Sequence, residues 1–147
     1  MFKKMIGFIG LPLLLFLFAA CSNTNGESDI IVSDAWIRPG QVGGPPTAAY
    51  MVIQNTGEGA DRLLNISANF SNMLEIHETQ VVDDVARMVP KENGVEIPAN
   101  SIVEVRPGGL HIMIMQLEEE LIAGEEVELI LIFENAGEIT ISATVQE

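Results

Sequence analysis

A chain of 147 residues holds one domain with short appendages. Its 21 acidic side chains against seven basic ones give a formal charge of −14, which argues against a nucleic-acid surface and against adsorption to anionic lipid headgroups. With one cysteine, Cys21, there is no intrachain disulfide framework and no C-x-x-C redox pair.

The first 21 residues stand apart from the fold. Lys3 and Lys4 precede an apolar run from Met5 to Phe18, too short for a membrane-spanning helix and fitting a secretory signal. The segment Leu17-Phe18-Ala19-Ala20-Cys21 resembles the lipobox of bacterial lipoproteins, with Phe18 where Leu is usual. That resemblance implies cleavage before Cys21, lipid on its sulfur, and an extracytoplasmic protein held to a bacterial membrane. The mature chain would then lose Lys3 and Lys4, and its charge would be −16. Residues 22–29 (SNTNGESD) are polar and read as a flexible tether. The folded domain is expected over 30–147.

From Ile30 onward the pattern is that of short strands separated by turns. Ile30–Ile37 is rich in β-branched residues and stops at Pro39, and Gly40–Pro46 is a loop. Further strands are expected at Thr47–Gln54, Arg62–Ala68, Met73–Glu78, Val85–Val89, Val95–Ile97, Ser101–Val105 and Leu110–Leu117, the last launched by the tight turn Pro107-Gly108-Gly109. Val127–Glu134 places Val127, Leu129, Leu131 and Phe133 on one face, and Glu138–Val145 alternates in the same way. No window carries an amphipathic helix of useful length. The expected fold is all-β, a single Greek-key β-sandwich of cupredoxin-like or immunoglobulin-like type, with Trp36, Tyr50, Phe70 and Phe133 filling the core.

Both histidines, His77 and His111, fall in one segment with Met88 and Met113. Ten residues separate His77 from Met88, and 22 separate Met88 from His111. His111 and Met113 share a strand face. Singly, each is a common core or surface residue, and methionine is a ready gap filler. Together, two imidazoles and two thioethers form a soft donor set suited to Cu(I) and unsuited to Mg²⁺ or Ca²⁺. Met51, Met73 and Met115 are further candidates, for packing first and for metal contact second.

Several stretches resemble the extracytoplasmic PCuAC family of copper chaperones: Asp34-Ala35-Trp36-Ile37-Arg38-Pro39, Ala48-Ala49-Tyr50, Asp61-Arg62-Leu63, Ile76-His77-Glu78-Thr79, Ile97-Pro98-Ala99, Pro107-Gly108-Gly109 before His111-Ile112-Met113, and Phe133-Glu134-Asn135-Ala136-Gly137. The resemblance implies that His77, Met88, His111 and Met113 are Cu(I) ligands. It also implies delivery of the ion to the CuA centre of cytochrome c oxidase or to another copper chaperone. The gap before His111 is one residue longer than the family's usual spacing. Some members carry a Met- and His-rich C-terminal tail that takes a second copper; with a strand running to the end of this sequence, that tail site is expected to be absent. The rival classes are copper sequestration without a dedicated acceptor and a metal-free structural or adhesion sandwich. An enzyme is not expected, because the sequence has no G-x-S-x-G, H-E-x-x-H or phosphate-loop motif.

Overall fold

The computed structural model describes residues 26–147; the expected signal segment, Cys21 and the first half of the tether lie outside the described residues. Ten strands make up the domain: β1 Ile30–Ile37, β2 Thr47–Asn55, β3 Asp61–Ser67, β4 Ser71–Val82, β5 Val85–Pro90, β6 Val95–Ile97, β7 Ser101–Val105, β8 Leu110–Leu117, β9 Glu126–Phe133 and β10 Glu138–Val145. Among the described residues there is no helix. The all-β expectation holds, with strand bounds close to those read from alternation.

The hydrogen-bonded order is β5-β4-β8-β2-β1-β10-β9-β3-β6, with β7 also paired to β2. β1 joins the two halves. It runs antiparallel to β2, shifts register between Ser33 and Trp36, and then pairs in parallel with β10 through Trp36 and Ile37. Asp34 sits at φ 52° within that shift. A bulge there bends and twists the strand, which lets one segment serve both halves.

Period-2 alternation builds the core between the halves. Ala49, Met51 and Ile53 of β2 and Ile112 and Ile114 of β8 point to one side, toward Leu63 and Ile66 of β3, Leu129, Leu131 and Phe133 of β9, and Ala143 and Val145 of β10. Burying each large aliphatic side chain contributes about 1.5–3 kcal/mol. Phe70 and Phe133 join this core as expected. Trp36 and Tyr50 lie outside that cluster, although Tyr50 is itself buried, 6 % exposed. Since Ala49 and Met51 face inward, Tyr50 faces outward. There it stacks against half-buried Trp36, with ring centroids 4.5 Å apart and the Arg38 guanidinium 5.9 Å from the Tyr50 centroid.

One end of the sandwich is closed by two buried polar side chains. Asn55 donates to the carbonyls of Gly59, Ile97 and Pro98 and accepts from the amides of Asp29 and Gly57. Asp61 accepts from the Ser28 hydroxyl and from the amides of Arg62, Asn135 and Ala136. Burial alone would push the Asp61 carboxyl up; the hydrogen bonds from Ser28, Asn135, Arg62 and Ala136 outweigh it and hold the group below its ordinary value. Ser28 and Asp29, at the end of the segment read as a tether, are thus bonded to the domain.

Candidate metal centre

β4 and β8 form the ladder that carries the candidate residues. His77 stands opposite His111, Glu75 opposite Met113, and Met73 opposite Met115. The intervening pairs, Ile76 with Ile112 and Leu74 with Ile114, turn to the core side. Directly opposed residues of an antiparallel pair share a face, so the imidazoles, Met113 and Glu75 lie together on the outer face. β5 adds Met88 opposite Thr79, two residues beyond His77 and on that same face. The structure therefore brings His77, Met88, His111 and Met113 onto one face of three adjacent strands.

A turn sets the position of His111. Between the pairs Met51–Val105 and Ala49–Ile112, the whole of Arg106–His111 stands against Tyr50 alone. Its core is the turn Arg106-Pro107-Gly108-Gly109, closed by the Gly109 amide donating to the Arg106 carbonyl at 3.2 Å. Gly108 takes φ 79° there, the left-handed value a type II turn requires after proline. The Gly109 carbonyl then accepts from the Thr79 amide at 3.0 Å and lies 3.0 Å from His111 Nδ1.

These partners determine which ring nitrogens are free. A carbonyl only accepts, so His111 Nδ1 carries the proton and Nε2 keeps its lone pair. The Glu75 carboxylate lies 2.8 Å from His77 Nε2, which assigns the proton to Nε2 and the lone pair to Nδ1. His77 Nδ1 and His111 Nε2 are the two buried side-chain polar atoms without a hydrogen-bond partner among the described residues. Leaving such atoms unpaired is costly, and metal coordination satisfies them. The ring centroids are 5.9 Å apart. With metal–nitrogen bonds of about 2.0–2.1 Å, two rings share one ion at roughly that separation.

The site is open on one side. His111 is only 5 % exposed, whereas Met88 on the edge strand is 57 % exposed. Met88, His111 and Met113 line a groove of about 790 Å³ together with Arg38, Tyr50 and Leu121. Backbone hydrogen bonds between Gly40 and Leu121 hold the groove's far wall. Among the described residues no three His, Cys, Asp or Glu side chains gather as a metal cluster, and the soft side chains that share this face with the two imidazoles are the Met88 and Met113 thioethers. Sequence reasoning missed Glu75 and the Gly109 carbonyl. Glu75 had a visible signal, two residues before His77 and therefore on its face; the Gly109 contact depends on the turn.

A family profile described as "Putative lipoprotein LpqE-like" matches residues 30–145, the whole strand-forming domain. The chain belongs to this family. It is 31% identical over 130 residues to "Putative lipoprotein Lxx21020" of Leifsonia xyli, covering 87% of this chain and 77% of that protein. It is 29% identical over 124 residues to a Rickettsia prowazekii protein, RP573, covering 76% and 67%. Among solved structures, the fold is similar to a copper-bound PCuAC domain from PmoF2 at TM-score 0.65 and 26% identity, covering 80% of this chain and 92% of that one. The Cu(I)-bound solution structure of DR1885 from Deinococcus radiodurans aligns at TM-score 0.59 and 23% identity over 79% and 76%, a likeness of fold. The architecture is thus that of PCuAC domains, and of the two sandwich types expected the LpqE-like chain adopts the cupredoxin-like one.

Proposed function

We propose that this LpqE-like protein is an extracytoplasmic Cu(I) carrier in which His77, Met88, His111 and Met113 bind the ion as cargo. The observation that carries the reading is the pair of buried imidazole nitrogens, His77 Nδ1 and His111 Nε2, left without partners on opposed positions of one ladder. Thioethers bind Cu(I) without releasing a proton and cannot form disulfides, which suits an oxidising compartment. The copper-bound PmoF2 domain of the same fold supports the choice of metal.

Glu75 and Gly109 hold the two rings with their lone pairs free. Met113 supplies sulfur from a rigid central strand, and Met88 supplies it from the exposed edge. A carrier must release its load, and the open groove beside Met88 is where an acceptor would reach the ion. That acceptor is the CuA centre of cytochrome c oxidase or another copper protein. In the lipoprotein reading, which the family description supports, lipid on Cys21 anchors the chain to the membrane.

Anaerobic competition against a chromogenic Cu(I) chelator, on the purified full chain in detergent, tests the site. Binding at one ion per chain is expected, and Met113→Leu or His77→Ala should weaken it at least about tenfold, the scale set by losing a supporting group at metal sites. Unchanged affinity in both variants would overturn the assignment. Transfer from the loaded protein to an apo CuA domain separates delivery from sequestration: no transfer would leave storage as the function. Cys21→Ser should move the protein from the membrane to the soluble fraction, and unaltered partitioning would remove the lipid anchor.

A further inference from the structure

The ladder continues beyond the proposed site. One position past Glu75–Met113 on the same face, Met73 stands opposite Met115. Both are half-buried. The usual account of such methionines is packing, and Met51 illustrates it by sitting inside the hydrophobic core. Met73 and Met115 do not pack against that core, although Leu74 and Ile114, the pair between them and Met113, do. Two thioethers are therefore set side by side where the core does not use them.

The spacing suits a soft ion. Directly opposed residues have Cβ atoms about 4.5–5.5 Å apart. Taking the roughly 2.3 Å typical of metal–sulfur bonds, one ion between two sulfurs needs them at most about 4.6 Å apart. The unbranched methionine side chain reaches that separation by rotation. We propose that Met73 and Met115 form a second, weaker Cu(I) position, one same-face pair away from the four-donor site. The inference rests on the proposed function for the identity of the ion. With no imidazole the pair binds more weakly, so it fills after the first site; the ion stays Cu(I), and no electron or proton moves.

The test follows methionine methyl and histidine ring NMR signals of the full chain in detergent micelles, titrated with Ag(I) as a redox-inert soft ion and with Cu(I) under anaerobic conditions. The first equivalent should move the His77 and His111 ring signals and the Met88 and Met113 methyls. The second should move the Met73 and Met115 methyls. Met73→Leu combined with Met115→Leu should abolish the second uptake and leave the first, with unchanged ring shifts showing that the fold is intact. Stationary Met73 and Met115 methyls through two equivalents, or undiminished second uptake in the double variant, would overturn the proposal. The failure of the four-donor reading looks different: the ring signals would stay put while the Met73 and Met115 methyls moved.

Discussion

At the scale of single residues, the site depends on groups that would not themselves bind the metal. Glu75 leaves His77 one free nitrogen and fixes the ring's orientation. Removing such a support at metal sites typically costs about 10–100-fold in affinity. Glu75→Ala should therefore weaken Cu(I) binding on that scale, read by chelator competition, with little change in thermal unfolding because the side chain is not in the core. Glu75→Gln keeps an oxygen that can accept from His77 Nε2, so it should recover most of the affinity. If Gln and Ala prove equally weak, the carboxylate charge, not the ring's orientation, is what matters. Only part of this was readable from the sequence, where Glu75 stands two residues before His77 and so on its face. The H-x-M spacing pointed to one face, but the two unpartnered nitrogens follow from the register of β4 on β8 and from the Gly109 turn.

At the scale of elements, the β4–β5 hairpin is the part that alternation read least well. The expected fourth strand ended at Glu78, whereas β4 runs to Val82. Gln80-Val81-Val82-Asp83-Asp84 lacks the Asn-Gly or Asp-Gly pair that marks a two-residue hairpin turn. Asp83 and Asp84 nevertheless adopt φ 51° and 60°, the signs of a type I′ turn, with Val82 paired to Val85. The core strands β2, β8, β9 and β10 were legible because each buries one face. β5 buries none, yet its expected span, Val85–Val89, matches to one residue; what alternation did not show was how far β4 runs past the core. The same blindness applied to Trp36, whose place on the outer face is set by the β1 bulge. The hairpin's independence from the core gives a prediction. Asp84→Pro cannot adopt the positive φ, so the turn should open and carry Met88 away. Cu(I) affinity should fall about as far as in Met88→Leu, while the unfolding midpoint moves little because β5 contributes no core side chain. A large loss of stability would show that the hairpin is needed for the sandwich itself.

For the whole molecule, the proposed copper face and the polar end of the sandwich separate two tasks. Soft donors gather on β4, β5 and β8, whereas Asn55 and Asp61 tie together the chain segments at the other end. Asp61 joins the segment before β1, the start of β3 and the turn after β9, using acceptor positions that only a carboxylate supplies in full. Its folded-state pKa lies below the ordinary 3.8 because four hydrogen bonds outweigh burial. A group depressed in the folded state contributes stability that is complete above its unfolded value and is lost as pH falls through the folded one. Wild-type protein should therefore exceed Asp61→Asn in unfolding free energy at pH 6, by about 1–3 kcal/mol for buried donors left facing an amide nitrogen. The gap should stay constant down to about pH 4, near the unfolded carboxylate value, and close below it. Urea denaturation of both proteins from about pH 2.5 to 6, a range spanning that titration, measures the difference. A gap independent of pH would mean that Asp61 acts through shape alone. Cu(I) affinity at neutral pH should be the same in both proteins, since Asp61 hydrogen-bonds to none of the proposed ligands.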